Sequence, residues 1–596
     1  MSDQGTSRAG AIRLHLPTAA LLSVVLGMSG CQSPLDAGRD STVRAAVLDA
    51  HREFLATVTE AKVVELDREP SDVEAGLTNE QREELDQLSG MSAYEDQPAA
   101  PGKDLLGTDD TPTVALTLQR AIRMAVDNNL DLHTARLTPR IGEQQLLQAD
   151  AAFDATLFAN VQWNDQDTPG PASGAVPGLS GDRQSETLTL NTGIRQPLKA
   201  TGGTIQLETA LNRFNDDPSV QGVAPFYDAD VLLTLNQPLL RNFGRTVATA
   251  QIELAENARD AAVFELRAST INLVDAVVQA YWQVLFARQQ LLIQANLLER
   301  TIEDRDRIQD RLEFDASQVQ FTEANSFVEL RRADLIRARQ AWRGTSDQLK
   351  RLINAEDLPL TDETLIVPAD SPLDAPLSFS LLDTVTTALQ ERPDLRSAEF
   401  AIDDALIRQR VADNNKLPLL DLVASVGLGG VGIEDGQDAY DELSEGDYLD
   451  WLVGLDFEYP LGNRGPEAQF EQRVLERRQA VLDYRRLAQD VVLEVKDALR
   501  DLVLQYELIG ATRAARRAAA DNLRAIQAQE DAGTALTPEF LNLKLDAQQR
   551  LANAETQEAD ALTGYMTAIA ELYRTQGTLL EQMGIEFEDP LADDDA

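Results

Sequence analysis

The sequence has little of the chemistry that enzymes and metal sites use. Its 596 residues include one Cys and three His. One Cys cannot form an internal disulfide, and scattered His residues lack the clustered spacing of a metal site. No Ser/His/Asp set, phosphate-binding loop or nucleotide fingerprint is recognisable. The sequence therefore predicts no metal, no cofactor and no enzymatic activity.

Positive charge is also scarce. The chain carries 53 Lys and Arg against 99 Asp and Glu, which gives a formal net charge of -46. Proteins bind phosphate backbones through basic surfaces, so nucleic acid is excluded as a partner. The acidic surface could attract cations, but a solvated surface is the simpler interpretation.

Glycine and proline are almost absent from two long stretches. Residues 246–343 contain neither, and residues 467–532 contain a single one, Gly510. Both residue types weaken helices, so the stretches predict long helical arms that could each extend on the order of 100 Å. Their apolar residues recur with a period near 3.5 along two neighbouring seams, which indicates helices packed on both sides, as in a tube. A simple bundle of long helices is the alternative.

Each of these stretches follows runs in which apolar and polar residues alternate. The runs surround Val161, Leu190, Leu207 and Leu233 in the first half of the chain, and Val426 and Leu455 in the second. A period of two predicts β-strands. Aromatic residues near the ends of several runs fit the wall of a membrane barrel, although a soluble β-sandwich would show the same alternation.

The single cysteine lies at the end of an apparent secretory signal. Two arginines precede a mostly apolar stretch, residues 14–26, and small residues come just before Cys31. Residues 28–31, Met-Ser-Gly-Cys, resemble the bacterial lipobox, which implies an N-terminal lipid on Cys31. Gln32 stands where many inner-membrane lipoproteins have Asp, so the outer membrane is favoured. An ordinary or uncleaved signal is the alternative.

The two halves of the chain are similar. Helical segments that lead to Asp131 and Asp394 match at an offset of 263 residues, whereas the ends of the long arms match at an offset of 216, through Ala316 and Ala532. The first half is longer because of an insert at residues 186–211 that looks like a duplicated hairpin. The chain is therefore divided into a signal peptide (1–30), an anchor-proximal extension (31–115), a first repeat (116–353), a linker or equatorial region (354–379), a second repeat (380–576) and an acidic tail (577–596).

These features together resemble the outer-membrane efflux protein family, the TolC-like channels, over residues 116–580. The resemblance rests on the repeated order of helix, strands and long helical hairpin, on the strand-to-helix junctions at 237–244 and 459–465, on Ala-Gly-Thr at 532–534, and on the lipobox. It implies an α+β membrane channel, in which a trimeric outer-membrane β-barrel continues into a long periplasmic α-helical barrel. The implied partners are two further copies of the chain, outer-membrane lipid, a periplasmic adaptor and an inner-membrane pump.

In this family the periplasmic helix tips dock the adaptor and narrow the channel. The resemblance places the docking tips at Ala316, Ser317, Gln318 and Val319, and at Gly533, Thr534, Ala535 and Leu536. It places a ring of acids at Glu539 and at Asn542, where the family often has Asp, and we take the nearby Asp531 as a second entrance acid. Three copies facing one axis would concentrate cations. Alternatively, Glu539 is an exposed acid whose charge stabilises the start of a helix.

The inserted hairpin decides the number of strands. Four strands per chain would give twelve in a trimer, and six would give eighteen. We expect twelve, with the hairpin as an extracellular or peripheral addition.

The leading functional hypothesis is a passive outer-membrane exit duct of a tripartite efflux or type I secretion system. The alternative is a periplasmic coiled-coil adaptor or structural spacer, which would carry one helical hairpin rather than two. The cargo does not follow from the sequence, because the pump selects it.

Overall fold

The structure of the protein is a computed structural model that describes most of the chain. The described residues are 63–68, 71–94, 97, 101–103, 111–169, 183–217, 225–313, 316–532 and 537–591. The predicted lipidation site Cys31 and the tip residues Gly533, Thr534, Ala535 and Leu536 lie outside them.

The six long strands of the described chain fall where the alternating runs predict them, and four short strands were not predicted. They are β1 (Val63–Glu65), β2 (Thr113–Leu116), β3 (Thr156–Thr168), β4 (Arg183–Pro197), β5 (Thr204–Asp217), β6 (Phe226–Pro238), β7 (Leu365–Pro368), β8 (Ser378–Ser380), β9 (Leu419–Gly432) and β10 (Leu449–Glu458). The four short strands, β1, β2, β7 and β8, form two separate pairs: β1 with β8, and β2 with β7.

The helices include the long arms that the two stretches predict. They are α1 (Asp72–Gly76), α2 (Asn79–Leu88), α3 (Leu118–Asn128), α4 (Leu130–Asp150), α5 (Arg245–Ala248), α6 (Ala250–Asp310), α7 (Gln318–Ile353), α8 (Leu381–Glu391), α9 (Pro393–Asn414), α10 (Gly436–Glu445), α11 (Arg464–Asp531), α12 (Pro538–Gln576) and α13 (Leu579–Gln582). Helices α6 and α11 contain 61 and 68 residues, and α7 and α12 return from them. None of the described helices is both long enough and apolar enough to cross a membrane.

The internal repeat is confirmed at the start of each half. Helices α3 and α8 both have 11 residues, and they begin at Leu118 and Leu381, which reproduces the offset of 263. The hydroxyls of Thr117 and Ser380 cap the two helices by accepting a backbone N–H of the first turn.

Six long strands form one antiparallel sheet in the order β10-β9-β6-β5-β4-β3. Both strands of the inserted hairpin, β4 and β5, are paired along their lengths on both sides. The expected four strands per chain, with a peripheral hairpin, are therefore wrong for this sheet. The reason is that the insert has the same alternation and length as its neighbours, so it completes their backbone hydrogen bonds.

One face of this sheet is apolar across all six strands. A single aligned row crosses the sheet through Leu157, Ile194, Leu207, Leu233, Val426 and Trp451. The next row, on the opposite face, contains Thr156, Arg195, Gln206, Thr234, Ser425 and Leu452, and is polar except for Leu452. We call the side of the sheet that contains the first row the apolar face, and the opposite side the polar face.

Phe158 breaks the alternation of β3 because of its cross-strand partner. It lies directly opposite Gly193, on the polar face. A Cβ atom on Gly193 would approach the Phe158 ring to 2.8 Å and the carbonyl oxygen of Leu207 to 2.4 Å. The ring therefore fills the space that glycine leaves, as aromatic residues do beside glycine in other sheets.

The loop between β9 and β10 contains a helix that we did not predict. Asp435 caps α10 by accepting the N–H groups of Gln437 and Asp438, and Gly446 ends it in the left-handed conformation. The helix backbone packs so closely on β9 that a Cβ at Gly430 would lie 2.2 Å from the Ala439 oxygen.

The long helices α6, α7, α11 and α12, with the segments packed on them, form what we call the helical unit. Part of the N-terminal extension is bound to this unit through a cluster that we call the extension clamp: Asp86, Arg516, Arg517 and Glu558. The Arg516 guanidinium is almost fully buried and donates to Asp86 at 2.7 Å, to the Ser89 carbonyl at 2.6 Å and to Glu558. Arg517 binds both carboxylate oxygens of Asp86. Leu85 is fully buried against residues of α11 and α12. Residues 79–90 are therefore an integral part of this unit.

Candidate functional site

The first tip is a glycine-free turn that ends in a strong helix cap. The Ser317 hydroxyl accepts the N–H of Gln320, and the Gln320 side chain accepts the N–H of Ser317 in return. This reciprocal pair fixes where α7 begins. Ala316 and Ser317 lie in the turn, as expected for a tip, and Gln318 and Val319 form the first turn of α7. Val319 is largely exposed.

The second tip is capped in a similar way, but at a different offset. The Thr537 hydroxyl accepts the N–H of Phe540, and Pro538 occupies the first helical position. The two caps, Ser317 and Thr537, are 220 residues apart (537 minus 317), so the offset of 216 is wrong by about one helical turn. The cap hydroxyl sets each helix start, whereas the offset was read from a short Asp-Ala match.

Glu539 lies in the first turn of α12 and is exposed to solvent in the single chain. Phe540 and Leu541, the next two residues, point into the helical core. Glu539, Asn542, Leu543 and Asp546 share the exposed face of the helix. A carboxylate at a helix N-terminus also stabilises the helix dipole, so its position fits the structural explanation as well as the entrance.

Asp531 has a different electrostatic position. It is the last residue of α11 and is exposed. A negative charge at a helix C-terminus is unfavourable, so Asp531 has no stabilising role in its own helix. Of the two predicted entrance acids, Asp531 is therefore the one that helix stability does not explain.

A buried polar cluster that the sequence did not reveal lies just behind the tips. We call Asp304, Glu530, Lys544, Gln548 and Arg331 the tip network. The Lys544 ammonium donates to Asp304 at 2.6 Å and also to Glu530, and the Gln548 amide donates to the second oxygen of Asp304 at 2.8 Å. The network joins α6, α7, α11 and α12, so it links the two helical hairpins of one chain.

Arg331 completes the tip network from α7. Its guanidinium donates to the Gln548 side chain at 3.2 Å, to the Leu545 carbonyl at 3.1 Å and to the Thr301 hydroxyl. Burial lowers the pKa of Arg331 to about 10, against the opposing effect of Asp304. The side chain thus remains charged at neutral pH and depends on these partners.

The described residues contain no group of three or more His, Cys, Asp or Glu that could hold a metal ion. The acids near the tips are instead either exposed, as Glu539 and Asp531 are, or paired with a cation, as Glu530 is with Lys544. Glu530 is therefore not available as an entrance acid.

Comparison with known proteins identifies one region of the chain directly. Residues 384–578, from α8 to just before α13, match the family model described as outer membrane efflux protein. The expected resemblance to this family is confirmed. No curated protein matches the chain.

Solved structures extend the similarity of this efflux-protein region to most of the chain. A membrane protein from Pseudomonas aeruginosa is 21% identical, with a TM-score of 0.58, over 82% of this chain and 100% of that one. The CmeC outer membrane channel of Campylobacter jejuni is 16% identical, with a TM-score of 0.57, over 84% and 94%. The open MtrE outer membrane channel of Neisseria gonorrhoeae is 20% identical, with a TM-score of 0.54, over 78% and 89%. At these identities the similarity establishes the fold, and the predicted fold class is confirmed.

Signals for the tip network were present in the sequence, but weak. Lys544 interrupts an apolar stripe that includes Leu541 and Leu545, at a position that helical periodicity assigns to the core. A lysine at a core position requires an acid. The sequence does not tell which of its many acids is the partner.

Proposed function

We propose that three copies of this chain form a passive outer-membrane exit duct of a tripartite efflux or type I secretion system. The duct carries solutes from an inner-membrane pump and a periplasmic adaptor across the outer membrane. The observation that carries the proposal is the six-stranded sheet with one continuous apolar face, in a chain that also has two long helical hairpins. Strands with one lipid-facing side and one water-facing side build membrane barrels.

Within this function, the two helix tips dock the adaptor, and Asp531 and Glu539 surround the entrance. The exposed position of Val319 and the strong caps at Ser317 and Thr537 support docking at the tips, because they give rigid and accessible helix ends. A lipid on Cys31 adds an anchor in the outer membrane. The adaptor alternative is less well supported, since an adaptor needs one helical hairpin and this chain has two.

Neighbouring residues of β10 provide a matched test. Leu455 is on the apolar face and Asp456 on the polar face of the same strand. A charged residue on the lipid side of a barrel costs about 2–4 kcal/mol at the middle of the membrane, whereas a lumen position tolerates charge. We expect the Leu455→Arg protein to be lost from the outer-membrane fraction and to form no channels in planar bilayers. Asp456→Arg should insert and conduct. Equal insertion of both variants, or a wild-type protein found in the soluble periplasmic fraction, would refute the duct.

A further inference from the structure

We infer that the membrane barrel of this protein has eighteen strands, in which β10 of one copy pairs with β3 of the next copy and Pro460 lies opposite Phe158. This inference rests on the proposed function, because it assumes that three copies close one barrel. Each copy contributes the six strands of its sheet.

The inserted hairpin has the surface of a barrel wall. Ile194 of β4 and Leu207 of β5 lie in the apolar row between Leu157 of β3 and Leu233 of β6. A hairpin outside the wall would have no reason to keep its apolar residues on the same face and in the same register. With the hairpin in the wall, the lipid-facing surface is continuous from β3 to β10.

Strands β4 and β6, which end the successive hairpins β3–β4 and β5–β6, end in the same way. The Gln196 amide, at the end of β4, donates to the Pro197 carbonyl at 2.9 Å and to the Phe153 carbonyl at 2.7 Å. The Gln237 amide, at the end of β6, donates to the Pro238 carbonyl at 2.8 Å and to the Thr201 carbonyl, in the turn between β4 and β5, at 3.2 Å. The first repeat thus contains two hairpins of one design in tandem.

Pro-Leu occurs at the ends of β4 and β6 and just after β10, and of these three strands only β10 is paired on one side alone in the described chain. The N–H of Leu198 donates to the Gly203 carbonyl at 2.7 Å, and the N–H of Leu239 donates to the Leu420 carbonyl at 2.8 Å. Both leucine side chains are half-buried, whereas Leu461, after β10, is 99% exposed. The Pro-Leu that follows β10 therefore lacks the second neighbouring strand that β4 and β6 have.

The two edges of the sheet complement each other. In the alternating order of the sheet β3 and β10 run in opposite directions, so β10 can continue the antiparallel pattern onto β3 of another copy. Neither strand contains Pro, Lys or Arg, the residues that commonly block an exposed edge. Unpaired backbone groups are not tolerated in lipid, so both edges require a partner.

The internal repeat gives the register of this contact. The junction of β6 with β9 joins the first repeat to the second, and Pro238 lies opposite Asp421 there. Moving back by 263 residues, the offset of α3 and α8, converts Leu419 at the start of β9 into Thr156 at the start of β3. The same shift converts Asp421 into Phe158. Pro460 should therefore lie opposite Phe158 of the next copy, with the Leu461 N–H donating to its Leu157 carbonyl.

This register keeps the apolar face continuous across the contact between copies. It places Phe457 opposite Val161 and Leu455 opposite Trp163, and all four side chains belong to the apolar face. Barrel diameter increases roughly linearly with strand number, so an eighteen-stranded barrel is roughly 1.5 times as wide as a twelve-stranded one of similar tilt.

Two measurements on the full-length protein in outer membranes test the inference. The first is disulfide formation in the double variant Phe457→Cys/Val161→Cys, which we expect to give linked dimers and trimers on non-reducing gels. The matched control is Phe457→Cys/Gln162→Cys, since Gln162 is adjacent but faces the other side of the sheet. The single variants control for disulfides through Cys31. The second measurement is a strand count by electron cryo-microscopy of the purified wild type.

Linked trimers in the first variant only, together with eighteen strands, would support the inference. A conducting trimer with twelve strands and the hairpin outside the wall would overturn it and leave the duct function intact. An eighteen-stranded barrel without the Phe457–Val161 link would show that the register is wrong. A monomeric protein, or one that does not enter the membrane, would remove both the inference and the proposed function.

Discussion

The Lys544 ammonium lies 2.6 Å from a carboxylate oxygen of Asp304, and both side chains are almost completely buried. Lys544 belongs to α12 and Asp304 to α6, so this contact ties one helical hairpin to the other. A second acid, Glu530 of α11, shares the same ammonium group. Two carboxylates thus share a single buried cation, and Glu530 also lies 3.5 Å from the half-exposed guanidinium of Arg307.

Replacing Lys544 should therefore destabilise the helical unit strongly. Lys544→Met leaves Asp304 buried without its ammonium partner and Glu530 with only Arg307, and removing one partner of a buried pair typically costs about 3–5 kcal/mol. We expect a clear drop in the melting temperature in detergent, followed by circular dichroism. Arg550→Met on the same helix is the control, because Arg550 and Asp546 are both more than half exposed and their pair contributes about 0–1 kcal/mol. Equal effects of the two changes would contradict the importance of the tip network.

The extension clamp predicts that the N-terminal extension detaches when Arg516 is replaced. Arg516→Met removes the donor shared by Asp86 and Glu558, which keep Arg517 and Arg513 as their remaining cations, so we expect a cost of about 1–3 kcal/mol for the lost charged hydrogen bonds. We expect limited proteolysis to cut within residues 79–103 faster than in the wild type, with the fragments identified by mass spectrometry. Arg524→Met is the control, since its partner Glu84 is half exposed. Unchanged cleavage in Arg516→Met would show that apolar contacts such as that of Leu85 are sufficient.

Asp275 should make the helical unit more stable in mild acid. Burial and the nearby Glu571 raise the pKa of Asp275 from 3.8 to about 6, and Arg574 opposes them. Because the folded pKa lies above the unfolded one, folding is penalised when the carboxylate is charged. Stability should thus increase as the pH falls from 7 through 6, and level off near the unfolded pKa.

The substitution Asp275→Asn tests this pH dependence. Each unit of pKa corresponds to about 1.4 kcal/mol, so the variant should gain about 1–3 kcal/mol at pH 7 to 8. It should also lose the rise in melting temperature between pH 7 and pH 5. Asp497→Asn, an exposed acid of α11, is the control and should leave that rise in place. A wild-type melting temperature that falls over the same interval would have the opposite sign from our expectation.

Two glycines of the six-stranded sheet should respond differently to the same change. A Cβ at Gly193 would approach the Leu207 oxygen to 2.4 Å, whereas the nearest atom to a Cβ at Gly454 is 3.7 Å away. Overpacking typically costs about 1–3 kcal/mol. We expect Gly193→Val to reduce the yield of heat-resistant oligomers on gels, while Gly454→Val assembles normally. A further change, Phe158→Ala, should partly restore the first variant, because it removes one of the two clashes.

The entrance prediction is best tested with Asp531 and Glu539 together. Neutralising both acids in each of three copies should reduce the preference for cations in planar-bilayer recordings at low salt, where screening is weakest. Asp531→Asn should have the larger single effect, because helix stability does not explain that acid. Asp334→Asn, an exposed acid of α7 distant in sequence from both tips, is the control. Unchanged selectivity in the double variant would mean that both residues lie outside the ion path.

Periodic features of the fold were predictable from the sequence. The alternation around Val161 and Leu455 located strands, and the absence of glycine and proline located the long helices, because both patterns reflect backbone geometry over many residues. The site of the first tip was also predictable, since a turn had to interrupt a helical stretch of such length.

The remaining features depend on contacts between residues that are distant in sequence. The offset of 216 residues between the two tips was wrong. The caps Ser317 and Thr537 set where the returning helices begin, whereas the offset rested on the match of Ala316 with Ala532. The tip network could not be predicted, because the sequence contains many acidic residues that could be the partners of Lys544. The position of the hairpin within the sheet depends on strand pairing, which alternation alone does not specify.

The tandem hairpins of the first repeat also imply how such a sheet can evolve. The hairpins β3–β4 and β5–β6 both end in Gln-Pro-Leu. The chain therefore leaves the second hairpin at the same edge of the sheet, and in the same direction, as it leaves the first. A duplication of one hairpin therefore preserves the connection to the helix that follows. The width of the proposed barrel could then change during evolution in steps of two strands per copy, by an internal gene duplication that leaves the long helices and their tips unaltered.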